Sequence, residues 1–298
     1  MPEPDSNQNS PESVDDAARR PRRGRLRRGA VRVILVAGVL TACGAIASCI
    51  RVGATNPNYD ASFADVREEM SRMKAEPVEL DRPVLVLSGY RSPAGSAFML
   101  KHAIGSLTGE DNSVHSLSYP LEGSIESPAS KAVAYVEELY PSDDPEWTTE
   151  VDVVAISMGG LVARLAASDP ELRDEPGGKR LKIGTLYTLA TPHRGAAMSE
   201  TVRPDKAARD MQEGSRFLAQ LNEQLDEADY EIVPYAVLRD GMVGATNTAP
   251  HGQEPIWVSG RLFMSHLLIA LESRIYTDVA LRLRGEEPLG TPSEPPRD

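Results

Sequence analysis

The residue best suited to do chemistry is Ser157, which lies between a short apolar run and the start of a helical pattern. The run occupies 151–156, and helical periodicity begins at 161–167. This change predicts a buried strand that turns sharply into a helix and presents the serine hydroxyl as a nucleophile. Gly159 is the small residue that such a strained turn requires, and Ala155 replaces the first glycine of the G-x-S-x-G motif. The chemistry would be attack on a carbonyl carbon.

The helix after Ser157 could also bind the negative charge that such an attack creates. Its first N–H groups have no partner within the helix, and the positive end of the helix dipole lies there. The N–H of Met158, the residue after the serine, is therefore the predicted oxyanion donor. An ordinary serine in a small-residue turn produces the same short pattern, so the motif alone leaves both interpretations open.

Strands that alternate with helices surround this segment. Apolar runs predict strands at 83–91, 113–119, 181–189 and 231–238, with a last short strand or loop at 255–259. Periodicity predicts a surface helix within 56–76 and further helices at 96–107, 130–139 and 265–284. Helical crossovers of this length connect parallel strands in a right-handed sense. The sequence therefore predicts an α/β class domain with a mostly parallel central sheet and helices on both faces.

Length and charge restrict the classes of function that the domain can have. The chain has 298 residues, of which 41% are hydrophobic, which suits one α/β domain with a large core and appendages. Its formal net charge is −12, and without residues 1–49, which hold eight arginines and five acids, the charge is −15. An acidic domain repels nucleic acid and anionic membrane surfaces. Nucleic-acid binding is therefore excluded as the main function, and a neutral, ester-bearing substrate is favoured.

The first fifty residues have the composition of an export signal. A polar start is followed by seven arginines within 19–28 and by an apolar run at 33–50. Cys43 and Cys49 each end a segment that resembles the lipobox of bacterial lipoproteins, in which the signal is cut before a cysteine that is then lipidated. An uncleaved spanning anchor is the main alternative. A buried helix of the domain is less favoured, because the upstream arginines are an orientation signal.

The predicted export signal also sets the domain boundaries. Either anchor locates the domain outside the cytoplasm, in the cell envelope, and leaves no cysteine for a disulfide. We expect a disordered basic N terminus and signal or anchor at 1–50, and a linker and surface helix at 51–82. The catalytic domain is expected at 83–284 and a disordered tail, rich in Pro and Glu, at 285–298.

The segment after the strand at 181–189 carries the most specific pattern of the chain. It reads Ala-Thr-Pro-His-Arg-Gly at 190–195, and a helical segment follows at 211–221. Together with the turn at Ser157, these residues resemble the α/β-hydrolases of the lipase and esterase group, which includes bacterial triacylglycerol lipases and relatives of the GPI inositol-deacylases. The resemblance implies the α/β-hydrolase fold, a structural role for His193 in the floor of the site, and a helix over the site.

The resemblance also implies which residues complete a catalytic triad. Asp240 follows the strand predicted at 231–238 and precedes Gly-x-Val, where the family has its acid. His266 opens the terminal helix, where the family has its base. The order Ser157, Asp240, His266 is the order of the family.

Two positions of this site have alternatives. The first predicted strand ends in Ser-Gly-Tyr where the family has His-Gly-x, so the N–H of Tyr90 is implied as the second oxyanion donor, with Ser88 in place of the histidine. An ordinary strand-to-loop glycine is the alternative. His251 is the alternative base, in a Pro/Gly loop without the family context. His102 and His115 are expected to be surface or packing residues.

We therefore expect an exported, membrane-anchored serine hydrolase, an esterase or lipase, that cleaves carboxylic esters of a lipid or other acyl substrate through an acyl-enzyme. No metal or organic cofactor is implied. An acyltransferase or amidase could use the same triad, because pocket shape and water access choose the acceptor. A non-catalytic envelope lipoprotein on a hydrolase scaffold is the alternative from another class.

Overall fold

The computed structural model describes residues 58–59, 61–92, 95–109, 112–225, 227–260 and 264–296. The chain divides between Ile50 and Arg51 into two units, and the described residues all belong to the second. The basic N terminus, the apolar run at 33–50 and both cysteines lie outside the described residues, together with the predictions made for them. Among the helices of the described ranges, none is long and apolar enough to cross a membrane.

A sheet of six parallel strands forms the centre of the domain. The strands are β1 (Val84–Leu87), β2 (Val114–Leu117), β3 (Val151–Ile156), β4 (Ile183–Leu189), β5 (Glu231–Val237) and β6 (Ile256–Val258). Their order in space is β2-β1-β3-β4-β5-β6, and each neighbouring pair is parallel. The predicted α/β class with a mostly parallel central sheet is confirmed.

Helices lie on both faces of this sheet. They are α1 (Phe63–Ala75), α2 (Gly95–Thr108), α3 (Glu126–Leu139), α4 (Met158–Ala167), α5 (Lys206–Asp210), α6 (Arg216–Leu225), α7 (Ser265–Leu268) and α8 (Ser273–Leu283). On one face α3, α4 and α6 share a hydrophobic core with the sheet, and on the other face α2 and α8 do so. The two-sided covering makes a parallel sheet possible in water.

The sequence of β3 reflects the packing of helices on both faces of the sheet. Val151, Val153 and Ala155 belong to the core under α3 and α4, whereas Val154 and Ile156 belong to the core under α2 and α8. Successive side chains of a strand point to opposite faces, so a strand covered on both sides needs apolar residues at nearly every position. This is why the run before Ser157 lacks the alternation of a half-exposed strand.

The order of the strands reverses between β1 and β3. From β1 the chain goes outward to β2, then crosses back to β3 and continues in the other direction. In open parallel sheets, ligands bind in the crevice at the carboxyl ends of the strands where the order reverses. The residues that follow β1 and β3 meet there, since a Cβ built on Gly89 would lie 3.2 Å from the Cβ of Ser157. The topology therefore locates the predicted nucleophile in such a crevice.

The helix predicted over 265–284 is interrupted. α7 is followed by a 3₁₀ turn over Ile269–Leu271, and α8 begins only at Ser273. Glu272 has an extended backbone, and its side chain accepts a hydrogen bond from the N–H of Arg274, so it caps α8. The break separates the short helix that carries His266 from the long helix that packs on the sheet.

The bounds of the helix predicted over the site at 211–221 also differ from those in the structure. A turn follows α5, and α6 starts at Arg216. Leu218 and Leu221 of α6 are buried, and the guanidinium of Arg164 in α4 donates to the carbonyl of Leu221 at 2.9 Å. The apolar side of α6 thus packs into the core that α4 shares with the sheet.

Within the described residues 285–296, the segment after α8 contacts the domain, which differs from the disordered tail that the composition predicts at 285–298. Gly290 pairs with Tyr59 in an antiparallel bridge, and its N–H donates to the buried carboxylate of Asp278 at 2.8 Å. Further along, the indole N–H of Trp257 donates to the carbonyl of Ser293 at 2.8 Å. Buried polar groups of α8 and β6 find their partners in this segment, which holds it against the domain.

Candidate active site

Ser157 lies at a strained turn between β3 and α4. Its φ of 53° and ψ of −124° belong to a region that residues other than glycine rarely occupy. Two glycines make the turn possible. A Cβ on Gly159 would lie 2.8 Å from the carbonyl oxygen of Ser88, and one on Gly160 would lie 2.3 Å from Oγ1 of Thr191. The sharp strand-to-helix turn predicted from the motif is therefore present.

Thr191 supports this turn, a role that the sequence pattern did not reveal. Its hydroxyl donates to the carbonyl of Ser157 at 2.7 Å, and its side chain is fully buried against Gly160. Ala190, the residue before it, has a left-handed φ of 51° and donates its N–H to the carbonyl of Tyr235. The Thr-Pro-His segment thus holds the turn in place, and its presence in the sequence was the available signal.

The structure brings Asp240 and His266 to Ser157. Nε2 of His266, on α7, lies 2.9 Å from Oγ of Ser157. Nδ1 of the same ring lies 2.8 Å from Oδ2 of Asp240, which follows β5. The three residues are between 5% and 9% exposed, so both hydrogen bonds are largely screened from water. The residues implied by the resemblance form one continuous chain of hydrogen bonds.

The carboxylate of Asp240 also accepts hydrogen bonds from the backbone. Its Oδ1 accepts from the N–H groups of Met242 at 2.9 Å and Val243 at 3.0 Å. Burial acts to raise the pKa of Asp240, but the hydrogen bond and the electrostatic interaction with His266, together with the two N–H groups, outweigh it, so this pKa lies below its ordinary value. An ionised carboxylate can only accept, so Nδ1 of His266 donates and Nε2 accepts from Ser157.

Such a chain of groups can make a serine hydroxyl nucleophilic. The imidazole accepts the hydroxyl proton as the oxygen attacks a carbonyl carbon, and the carboxylate stabilises the imidazolium that forms. The same imidazolium can then give its proton to a leaving alcohol or amine.

The two predicted oxyanion donors lie beside the serine. Met158 follows Ser157 as the first residue of α4, and Tyr90 follows Gly89 in the loop after β1. Within the part of the chain that the structure describes, neither N–H has an acceptor. A side chain at position 89 would meet the Cβ of Ser157 at 3.2 Å and the carbonyl of Ile156 at 3.3 Å. Glycine therefore allows the loop that carries Tyr90 to pass close to Ser157.

His193 has a structural role, as the resemblance implies. It is fully buried, with Nδ1 3.1 Å from the guanidinium of Arg164 and Nε2 3.1 Å from Oγ1 of Thr188. Burial, followed by the positive charges of Arg164 and Arg194, lowers the pKa of His193 well below its ordinary value. The neutral ring accepts from Arg164 through Nδ1 and donates to Thr188 through Nε2, so both nitrogens are used.

The remaining histidines lie elsewhere. His251, the alternative base, is exposed in the loop between β5 and β6, whereas the hydroxyl of Ser157 is hydrogen-bonded to His266. The ring of His102 packs edge-on against Phe98 with 4.3 Å between centroids. His115 has Nε2 2.8 Å from the hydroxyl of Tyr140. These three histidines therefore lie in surface or packing environments, away from the hydrogen bonds that join Ser157, His266 and Asp240.

A cavity of about 260 Å³ lies away from these residues. It is lined by residues of α3 to α6 and of the 3₁₀ turn after α4, namely Glu126, Leu165, Leu172, Lys206, Asp210, Arg216, Phe217, Gln220 and Leu221. None of the Ser157, Asp240 and His266 side chains lines it, so it is not where Ser157 would meet a substrate. Over the described ranges, no group of three or more His, Cys, Asp and Glu side chains is arranged to hold a metal ion.

Several solved lipase structures are similar to this chain at low sequence identity. The propeptide form of Bacillus licheniformis lipase BlEst2 is 14% identical with a TM-score of 0.49, over 74% of this chain and 54% of that chain. The mature form is 14% identical with a TM-score of 0.47, over 69% and 94%. Aspergillus fumigatus lipase B is 12% identical with a TM-score of 0.39, over 68% and 50%. The chain thus spans about half the length of the propeptide form.

The sequence itself matches one protein family. The model of the PGAP1-like alpha/beta domain matches residues 127–228, which include β3, the turn at Ser157, β4 and the Thr-Pro-His segment. No curated protein matches the sequence. The family match covers about a third of the chain, so it shows that this part of the sequence, which contains the turn at Ser157, is similar to the PGAP1-like alpha/beta domain.

Proposed function

We propose that the protein is a carboxylic ester hydrolase that works through Ser157, His266 and Asp240. The observation that carries the proposal is the 2.9 Å separation of Ser157 Oγ from His266 Nε2, with Asp240 2.8 Å from the other ring nitrogen. Nucleophilic acyl transfer requires a hydroxyl within hydrogen-bond distance of a base, and a carboxylate that orients the base. These three residues meet both requirements.

The proposed reaction has two half-reactions. Ser157 Oγ attacks the ester carbonyl carbon while its proton passes to His266, and the imidazolium then protonates the leaving alcohol as its C–O bond breaks. Water next attacks the acyl-enzyme, with His266 again as base, and the carboxylic acid leaves as Ser157 regains its proton. The N–H groups of Met158 and Tyr90 would bind the oxyanion in both tetrahedral intermediates.

An acyl or lipid substrate is favoured by the apolar surface next to His266. Met264, Leu267 and Leu271 are 37%, 60% and 47% exposed, although they are large apolar residues. Phe98, at the start of α2, is 54% exposed, and α2 packs on the 3₁₀ turn that follows α7. Exposed apolar side chains that gather in one region commonly mark a binding surface. We therefore include lipid or other acyl esters in the proposal.

The proposal is tested with p-nitrophenyl esters of increasing acyl length and a fluorophosphonate probe. We expect the probe to label the protein at Ser157, and we expect kcat/KM to rise from the acetyl ester to longer esters because apolar surface is available for the chain. Both measurements are made on folded protein, verified by its cooperative thermal unfolding.

Other outcomes would support the alternatives. Folded protein that neither reacts with the probe nor hydrolyses any ester would contradict the proposal and favour a non-catalytic scaffold. Acyl transfer to an added alcohol in excess of hydrolysis would favour an acyltransferase, and faster cleavage of anilides than of esters would favour an amidase.

We propose further that the domain is held at the outer side of a membrane through a lipid on Cys43 or Cys49. The arginines at 19–28, the apolar run at 33–50 and the two lipobox-like segments support this proposal. Several acyl chains on one cysteine hold a protein far more firmly than a single chain does. We expect the double variant Cys43→Ser/Cys49→Ser to move from the membrane fraction to the soluble fraction, and one of the single variants to have the same effect.

The cysteine variants also test the alternative anchor. Membrane association that persists in the double variant would contradict lipidation and would favour an uncleaved spanning helix. Mass spectrometry of the membrane-bound wild-type protein would then show no acyl modification at either cysteine.

A further inference from the structure

The loop at 88–92, called the oxyanion loop below, needs support from outside itself. It carries the N–H of Tyr90, and its only internal backbone hydrogen bond within the described residues is a long one of 3.3 Å, from Ser92 to the carbonyl of Gly89. Arg91 has a left-handed φ of 47°, which is a strained conformation for a residue other than glycine. A short, strained loop of this kind does not fix the direction of an N–H group unless neighbouring elements hold it.

Asp205, far away in sequence, supplies such support. The hydroxyl of Tyr90 donates to Oδ2 of Asp205 at 2.7 Å, and the guanidinium of Arg91 donates to the same oxygen at 2.7 Å. Two consecutive residues of the oxyanion loop are therefore bound to one carboxylate, across a sequence separation of 115 residues. At the start of the loop, the hydroxyl of Tyr119 donates to the carbonyl of Ser88 at 2.5 Å.

Asp205 is itself held firmly. It caps the start of α5, with Oδ1 accepting from the N–H of Ala208 at 3.0 Å. Ala207, two residues after Asp205, donates its N–H to the carbonyl of Gly123 at 2.8 Å. A Cβ on Gly123 would lie 3.2 Å from the Cβ of Asp205, so glycine permits this close approach. The Asp205 side chain is only 15% exposed. One carboxylate oxygen thus fixes α5 and the other fixes the oxyanion loop.

The protonation states suit this contact. Burial acts to raise the pKa of Asp205, but the Tyr90 hydroxyl, the Ala208 N–H and Arg91 outweigh it and lower this pKa below its ordinary value. Burial and the hydrogen bond to Asp205 raise the pKa of Tyr90 to about 12. A neutral phenol and a guanidinium therefore donate to an ionised carboxylate, and such charge-assisted hydrogen bonds are stronger than neutral ones.

We propose that Asp205 is a positioning residue that sets the direction of the Tyr90 N–H toward the oxyanion, acting through the side chains of Tyr90 and Arg91. The inference rests on the proposed ester hydrolysis at Ser157. An oxyanion donor is effective only when it lies about 2.7–3.1 Å from the developing charge, so a loop that moves freely stabilises the transition state less. A ground-state ester binds mainly through its acyl chain and loses little.

Asp205→Ser is the variant that separates this role from helix capping. Serine is a good N-cap residue, so α5 keeps its cap while Tyr90 and Arg91 lose their acceptor. Removal of an oxyanion donor costs about 10²–10³-fold in kcat, and a donor that is loosened rather than removed should cost about 10–100-fold. We expect that loss in kcat, a KM within about twofold of wild type, and an equal loss of affinity for an alkyl boronic acid, which mimics the tetrahedral intermediate.

Two further variants control the experiment. Asp169 caps the 3₁₀ turn at Pro170–Arg173 by accepting from the N–H of Glu171 at 3.0 Å, away from the oxyanion loop. Asp169→Ser should leave kcat and boronic acid affinity unchanged. The variant Tyr90→Phe/Arg91→Gln removes the two donors, and adding Asp205→Ser to it should have little further effect, because all three changes break the same contact.

The outcomes distinguish this inference from the proposed function. If folded Asp205→Ser keeps the kcat and the boronic acid affinity of the wild-type protein, the proposed role of Asp205 is wrong. The proposed ester hydrolysis would be unaffected by that result. Independent losses that multiply in the combined variant would also overturn the proposed role of Asp205, since they would mean that Asp205 acts by another route. Wild-type protein that neither hydrolyses esters nor binds the boronic acid would overturn the proposed function and this inference together. If Asp205→Ser fails to fold, Tyr90→Phe/Arg91→Gln gives the same test.

Discussion

Replacement of Ser157 by alanine is expected to lower kcat for ester hydrolysis by about 10⁶-fold, because all covalent chemistry passes through its oxygen. The residual rate would come from the oxyanion donors and substrate binding alone. Alanine keeps the Cβ that packs against Gly89, so the strained turn loses only a hydroxyl. The measurement is kcat on the best p-nitrophenyl ester, with thermal unfolding to verify the fold and loss of fluorophosphonate labelling to verify the site.

A second serine of the same helix provides the matched control. Ser168 is the C-cap residue of α4, is 7% exposed, and donates its hydroxyl to the carbonyl of Arg164 at 2.7 Å. Ser168→Ala removes a hydroxyl from a serine that is as buried as Ser157. The variant should keep wild-type kcat and fluorophosphonate labelling, although it loses a hydrogen bond and some stability. Activity of Ser157→Ala within tenfold of wild type would contradict its assignment as nucleophile.

Replacement of His266 by alanine is expected to have an effect of similar size, about 10⁶-fold in kcat, because the base and its proton are lost together. The pH profile gives a second readout. A general base must be unprotonated to accept the proton of Ser157, so kcat/KM should fall on the acidic side of the profile. The pKa of Asp240 lies below its ordinary value, so loss of the Asp240 charge does not account for this acidic limb. His266→Ala should remove the limb from whatever activity remains.

The other two candidate histidines serve as controls. His251→Ala should leave both the rate and the limb intact, because this side chain is exposed and lies in a loop outside the triad. His193→Ala should lower the rate, since Arg164 loses a buried partner, but the limb should persist because the pKa of His193 lies well below its ordinary value. A limb that survives in His266→Ala and disappears in His251→Ala would show that the base was assigned to the wrong histidine.

Backbone strain in this protein is concentrated around the proposed site. Within the described residues, left-handed φ values at non-glycine positions occur at Arg91, Ser157, Ala190 and Arg239, which follow β1, β3, β4 and β5, and at one further residue, Asp174. Each such conformation costs about 1–3 kcal/mol and persists only where surrounding contacts enforce it. The hydrogen bonds of Thr191 to Ser157 and of Asp205 to the loop of Arg91 are contacts of this kind, so two of the strained turns are held by residues distant in sequence.

Local pattern was sufficient for much of the fold. Strands such as β3 and β4 are covered on both faces, so their apolar runs stand out from the polar loops, and the glycines after Ser157 mark the turn. The same reasoning failed where a helix is broken by a single capping residue, as at Glu272, because such a residue leaves the periodicity on either side unchanged. It also failed for the tail, whose polar composition does not reveal that Asp278 and Trp257 need partners there.

The sequence by itself determined the α/β class and singled out Ser157, because both follow from neighbouring residues and their periodicity. It could not choose among the histidines without the family resemblance, because His266 lies 109 residues from the serine that it contacts. Nor did it reveal the contact of Asp205 with Tyr90, which spans 115 residues. Such contacts depend on which strand ends are neighbours in the sheet. That order is fixed by packing of the whole domain rather than by any local pattern, so only the tertiary structure decided them.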